Sequence, residues 1–416
     1  MVRGAHHPDH PRPRGGGLPI EGRSHGSMDI QLIDRDEELQ RMREEISSAP
    51  RIALDCEAAG FHRYSDQLCL LQLTAGSVTY LVDPFAVSPA ETLRPLLEDP
   101  RREVIMHGAD FDLRLLDRDL GIHLTSLFDT QVAATLLGKP GIGLQSLLSD
   151  ELGIHLPKKY QRADWAIRPL PEPMLQYAAK DTLHLLDLAD RLSDELERAG
   201  RRAWVEEELR ELEKIRFTEP EPADPAARMK ASRDLSDREV HRLREAIAWR
   251  DAIARERDRA PFRVTNDSVL VEIARRSPGS VEDLVKVRGM NERLARQSGE
   301  ELLDRLAQVD TLPDREVQGL PRRERNGRGR PPPEEEERFY RLKDVRNRTA
   351  ERLGIDRGAL ISNSVLTDLA AEPPRTLEEL THVPSVRRWQ AELMGAEMLA
   401  ALAGSGAEAG EGAGPE

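Results

Sequence analysis

Laid on itself with an offset of 96, the chain repeats: residues 242–303 fall on 338–399 without a gap. Arg250 meets Arg346, Ala254 meets Ala350, and Ser268-Val269-Leu270 meets Ser364-Val365-Leu366. Pro278, Leu284 and Gly299 meet Pro374, Leu380 and Gly395. The matched positions are mostly apolar or turn-forming, which is what two copies of one small helical core would keep. The repeat therefore commits residues 232–312 and 334–403 to two all-α bundles of the same build. The linker between them, 313–333, is charged and carries RRERNGRGR at 322–330, five arginines against one glutamate. That stretch reads either as an electrostatic contact for nucleic acid or as a solubilising tether.

The chain ahead of the repeat has a different rhythm. Strands are expected at Arg51–Glu57, Gln67–Thr74, Val78–Val82 and Val104–Met106, and helices at 111–119, 129–137, 144–151 and 172–198. This interleaving predicts an α/β domain with a mixed sheet over 28–217. EPEPADPAA at 219–227 marks a linker, 218–231. Residues 1–27, rich in His, Pro, Gly and Arg, have no hydrophobic period and read as a disordered extension, with Met28 as an alternative start. The Gly-, Ala- and Glu-rich 404–416 reads as a disordered tail. No apolar run is long enough for a membrane span, and no secretory signal is evident. Two cysteines, Cys56 and Cys69, exclude a disulfide framework and a four-thiolate zinc site, and fit a reducing, cytoplasmic compartment. A net charge of −14 excludes a polycation that coats nucleic acid, so any such contact must be local.

Three segments carry titratable groups in places that need explaining. In Arg51–Glu57, Asp55 and Glu57 are two apart on a strand, so both carboxylates leave the same face while Cys56 points into packing. The flanking Ile52, Ala53 and Leu54 argue that this strand is buried, where paired carboxylates need a divalent cation between them. In VIMHGADFDLRLL (104–116), a strand runs out through His107-Gly108 into a helix. Asp110 suits the N-cap, and Asp112 sits in the first turn, either favouring the helix dipole or facing a site at the strand's C-terminal end. In QYAAKDTLHLL (176–186), Tyr177 and Asp181 are i and i+4 on one face of a packed helix.

Taken in order, Asp55-x-Glu57, Asp112 and Tyr177-x3-Asp181 resemble the DEDD exonuclease superfamily, and the tyrosine four residues before the last Asp resembles its DEDDy subclass. The histidine subclass would place His where this chain has Gln176. The nearest likeness is the ribonuclease D family, supported by QLCLLQ (67–72), FDTQ (128–131) and KKYQRADWAIRPL (158–170). The repeated bundles resemble HRDC domains. The resemblance implies a ribonuclease H-like mixed-sheet exonuclease domain followed by two HRDC-like domains, acting as a metal-dependent 3′-to-5′ exoribonuclease. It implies two divalent cations, Mg²⁺ or Mn²⁺: Asp55, Glu57 and Asp181 hold the first, Asp55 bridges to the second, and Asp112 supports the second. Tyr177 orients the attacking water.

The partner implied is RNA with a free 3′ end, tRNA precursors among them, with no membrane partner and a monomeric chain. For substrate grip the expectation falls on Lys158, Lys159 and Arg168 in a local basic strip. In the first module it falls on Lys286, Arg288 and Gly289, where a glycine amide could approach phosphate. The second module reads His382, Pro384 and Ser385 at positions where the first has Lys286, Arg288 and Gly289, which favours a packing or spacing role for it. A DNA exonuclease and a noncatalytic RNA-binding scaffold on the same fold are the alternative readings. Retention of all four carboxylates and the tyrosine argues against the scaffold.

Overall fold

The computed structural model describes residues 29–156, 159–219, 224–321 and 331–404. The expected disordered extension and tail, the centre of the first linker, the arginines of 322–330 and Lys158 lie outside the described residues.

Six strands form one mixed sheet in the order β1-β4-β3-β2-β5-β6: β1 Asp29–Ile33, β2 Arg51–Ala58, β3 Leu68–Ala75, β4 Val78–Val82, β5 Glu103–Met106 and β6 Leu127–Asp129. β2 pairs antiparallel with β3 and parallel with β5, so the strand carrying Asp55 and Glu57 is central. β1 and β6 were not expected from the sequence, and each completes an edge. Leu54 and Cys56 on one face of β2, with Leu71 and Leu73 of β3, enter the main apolar core. Asp55 and Glu57 leave the other face, as period two requires.

The helices of this domain are α1 Asp36–Ile46, α2 Ala90–Leu97, α3 Asp110–Leu115, α4 Thr130–Leu137, α5 Leu144–Leu152, α6 Glu172–Leu183, α7 Leu185–Ala199 and α8 Arg202–Leu212. The long helix expected over 172–198 is broken at His184, whose backbone leaves the helical region at φ −111°, ψ 6°. The break frees α6 to cross β2, β3 and β4 while α7 returns to pack on β2 and β5. Buried Thr74 and Thr182 hydroxyls, 2.8 Å apart, tie α6 to the sheet beside Asp181.

The first helical module comprises α9 Pro225–Arg228, α10 Asp237–Glu256, α11 Pro261–Val264, α12 Asp267–Arg276, α13 Val281–Val285 and α14 Glu292–Thr311. The second comprises α15 Pro333–Leu353, α16 Arg357–Leu360, α17 Asn363–Ala371, α18 Leu377–Thr381 and α19 Arg388–Ala403. Each helix from α15 to α19 begins 96 residues after its counterpart from α10 to α14. Inside, the copies are held alike. Buried Arg250 donates to the Thr265 carbonyl at 3.2 Å and to Asp267 at 2.6 Å; buried Arg346 donates to the Ile361 carbonyl at 3.3 Å and to Asn363 at 2.7 Å. Gly299 and Gly395 admit Leu284 and Leu380 so closely that an added Cβ would lie 2.8 and 3.2 Å from their methyl carbons.

Candidate active site

The sheet and α6 bring the sequence-derived carboxylates to one cleft. Ligand oxygens of Asp55, Glu57 and Asp181 all lie within 4.8 Å of one another. These three, with Tyr177 and His107, line a cavity of about 560 Å³. Asp112 is not among these three. It is only 7% exposed, does not line the cavity, and interacts electrostatically with Asp55, Glu57 and Cys56.

Several contacts fix these positions. Asp129 caps α4 by accepting from the Gln131 and Val132 amides, and it also accepts from Gly108 at 3.0 Å and Ala109 at 2.7 Å. One carboxylate thus sets the turn that launches α3 and Asp112. Gly108 sits at φ +71°, a backbone region that favours glycine. Asp110, expected as the N-cap, instead makes an i,i+4 ion pair with Arg114 at 3.1 Å, and the helix starts from Ala109. The His107 imidazole shares a hydrogen bond with the Thr130 hydroxyl at 2.9 Å. Tyr177 packs edge-on to Tyr160 and beside Trp165. Trp165 is buried, so its ring is a wall and not a stacking platform. Gln176, at the position of the histidine subclass, donates to Glu172 at 2.7 Å.

Burial in this cleft makes charge costly. It pushes the Asp55 carboxyl up to about 7, against an opposing backbone hydrogen bond from Cys56. Burial and then the neighbouring Asp55 push Asp181 up to about 8. Glu57 and Asp112 are raised well above the ordinary range by burial first and nearby carboxylates second. Burial, with Asp181, Glu57 and Asp55, also raises the Tyr177 phenol, which is therefore a proton-bearing donor at neutral pH. None of the groups shifting the four acids is a lysine or arginine. Gln72, directly opposite Asp55 in the β2–β3 register, is buried with both amide atoms unpartnered among the described residues. An all-oxygen cluster of half-buried acids, with no lysine or arginine among the described residues shifting them, fits hard divalent cations.

The expected grip residues fare differently. Arg168 turns inward: its guanidinium donates to Asp83 at 2.6 and 2.8 Å and to the Cys69 carbonyl at 2.7 Å, so it is spent inside the fold. Lys159 lies over the Tyr160 ring at the cleft side. Lys286 is paired with Asp283 at 2.9 Å. Arg288 is exposed. Gly289 is required by φ +87° and by Val269, which an added Cβ would approach to 3.1 Å. The helix expected over 144–151 forms as α5, but sequence reasoning gave its first turn no role: Gly143, Leu144, Gln145 and Ser146 line the same cavity, and the first amides of an α-helix have no partner within it.

Comparison with known proteins identifies the domains. Residues 30–197 match the 3′-5′ exonuclease domain family, and residues 240–306 and 335–402 each match the HRDC domain. The chain is 33% identical to ribonuclease D of Pseudomonas paraeruginosa, over 90% of this chain and 98% of that one. The crystal structure of Escherichia coli RNase D, described as an exoribonuclease involved in structured RNA processing, superposes with a TM-score of 0.64 at 28% identity, covering 90% of this chain and 99% of that one. A crystal structure of a protein from Bifidobacterium adolescentis superposes with a TM-score of 0.76 at 25% identity, covering 91% and 100%.

Proposed function

Because the chain belongs to the ribonuclease D family and is a 3′-to-5′ exoribonuclease, we propose that it trims the 3′ ends of structured RNA precursors, tRNA precursors among them, through the carboxylate cleft. The observation that carries this reading is the meeting of Asp55, Glu57 and Asp181 within 4.8 Å, with no lysine or arginine among the described residues offsetting their charge.

Asp55, Glu57 and Asp181 would hold one divalent cation, and Asp55 with Asp112 a second; Mg²⁺ or Mn²⁺ suits the donors. Bound there, the cations supply an acidified water and neutralise the leaving oxygen. The chain's own groups do the remaining work. The protonated Tyr177 phenol, four residues before Asp181 on the same face of α6, donates to and orients the attacking water. The amides at the start of α5 donate to the terminal phosphate, where the helix dipole favours negative charge. His107, neutral because burial lowers it, holds its orientation through Thr130 and keeps that wall of the cavity polar without adding charge.

The test is a time course on 5′-labelled single-stranded RNA and matched DNA, with Mg²⁺, Mn²⁺ or EDTA, beside Asp55→Ala and Tyr177→Phe. The expected result is a ladder shortening from the 3′ end on RNA, lost with EDTA and with Asp55→Ala, and slowed by Tyr177→Phe. A higher rate on DNA would move the reading to a DNA exonuclease. RNA binding without cleavage of any substrate by folded wild type would move it to a scaffold.

A further inference from the structure

The two helical modules are alike inside and opposite on one outer face. In the first, Arg257, Arg259 and Arg263, at the α10–α11 corner, and Arg293, in the first turn of α14, line a cavity of about 490 Å³. No carboxylate lines it. None of the four arginines makes an ion pair among the described residues, although most of the module's other arginines do. Arg257 reaches only the Ser298 hydroxyl, and Arg263 donates to the Phe61 carbonyl at 2.8 Å. In a chain of net charge −14, four arginines converging without an acid are not a solvated average.

At the matching positions, 96 residues on, the second module has Leu353, Ile355, Ala359 and Trp389. All four are apolar, and all four pack into the core shared with the exonuclease domain. One copy uses this face to dock; the other fills the same face with cations. A face that served only packing would not carry four unpaired guanidinium groups.

The cavity also lies where the module meets the exonuclease domain. Its wall meets the β2–β3 loop, where the His62 carbonyl accepts from the Ala260 amide at 3.0 Å. Phe61 and Phe262 touch at 5.4 Å between ring centres and are 41% and 47% exposed. Arg263 and Arg162 both lie against the Phe61 ring. Three residues separate Phe61 from Glu57 in the chain, so their Cα atoms are at most about 14 Å apart.

Resting on the exoribonuclease reading, we propose that this arginine-lined cavity binds the RNA phosphate backbone, holding the strand upstream of the 3′ end seated at the carboxylates. Phosphate is the anion that a nuclease substrate repeats along its length, and guanidinium forks match its oxygens. The exposed Phe61–Phe262 edge offers a stacking surface that every base can use. This places the module's main grip at the arginine-lined cavity, where the cations have no acidic partner among the described residues and the surface is concave, ahead of Lys286, Arg288 and Gly289.

The test compares full-length wild type, Arg259→Glu/Arg293→Glu, and the charge-matched Lys286→Glu/Arg288→Glu. Both altered cavity arginines are exposed, so the substitutions spare the core. Binding of a single-stranded RNA of about thirty nucleotides is read by fluorescence anisotropy in EDTA across a salt series, and cleavage is read on that RNA and on a trinucleotide. The cavity variant should lose roughly tenfold or more in affinity, with a shallower salt dependence. It should raise KM on the long RNA with kcat little changed, and cleave the trinucleotide like wild type. The control should change affinity by less than about threefold.

Equal losses in both variants would mean diffuse charge and overturn the site. So would equal loss on short and long substrates, or unchanged RNA affinity. An acidic peptide that binds wild type but not the cavity variant, with RNA binding intact, would replace RNA with a protein partner. Absence of cleavage by wild type would sink the enzymatic reading alone, because the anisotropy arm still decides the site.

Discussion

Two copies of one bundle sit on the same nuclease and relate to it in different ways. The first keeps a core of its own, built from Val240, Leu243, Trp249, Leu270, Leu284 and Leu302. Its links to the exonuclease domain are local: polar ones such as Arg63 with Asp258 at 3.2 Å and Tyr64 with Asp251 at 3.0 Å, beside the Phe61–Phe262 ring contact. The second has no separate core. Trp389 stacks on Trp204 of α8 with ring centres 4.8 Å apart, and its amide and indole donate to Glu207 at 3.0 Å and Glu208 at 2.9 Å. Leu342, Ile355, Leu366 and Met394 belong to the same apolar cluster as Ile52, Leu71 and Leu188. Duplication kept the buried Arg250/Arg346 clamp and the Gly299/Gly395 contact, and freed the outer face to change. The lesson is that a repeat conserves what makes a module fold, whereas its outward residues decide whether it supports the enzyme or meets a ligand.

The sharpest way to break this comparison is to truncate the equivalent burdens. Trp389→Ala should cost about 3–5 kcal/mol and lower the unfolding midpoint of the nuclease body itself. Trp249→Ala should cost a similar amount, yet only from the first module, which then melts as a separate early transition. Calorimetry of the full chain reads both. A single transition shifted equally by the two variants would contradict separate cores.

A pH series sharpens the assignment further. Asp55 and Asp181, at about 7 and about 8 in the folded protein, keep protons that the unfolded chain releases above about pH 4. The folded state therefore binds more protons between these values, and its stability falls as pH rises toward 8. In chelator, the main transition should move down between about pH 5 and 8 while the first-module transition stays put. Asp181→Asn should flatten the main slope. A slope confined to the first-module transition would refute the link to the cleft.

The smallest effects concern surface charge. Arg387 pairs with Glu208 at 3.1 Å, both partly exposed, so Arg387→Glu should cost about 1 kcal/mol in urea unfolding. Arg288→Glu should stay within about 0.5 kcal/mol of wild type. Equal destabilisation by the two would remove the distinction between a docked and an open module.

Much of this was legible in the sequence where one period governs one element. Asp55 and Glu57 share a face because strands have period two, and Tyr177 and Asp181 because helices place i and i+4 together. The offset of 96 survived because it involves no gap. β1 and β6 were missed because DIQLI and LFD are too short to establish a period and depend on pairing with β4 and β5. Arg168 looked like substrate grip because its partner Asp83 lies 85 residues away in the chain. The arginine cavity was hidden for the same reason: Arg257–Arg263 and Arg293 come from separate helices, and only the folded module lets them converge.

The central claim is that the carboxylate cluster exists to hold divalent cations. The direct measurement is titration of Mn²⁺ into metal-free full-length protein by calorimetry, near neutral pH, in two buffers of different ionisation enthalpy. Saturable binding with release of protons from the cluster, lost in Asp55→Asn and Asp181→Asn, is the result predicted. No saturable binding by folded wild type, alongside cleavage of RNA that persists in chelator, would contradict it.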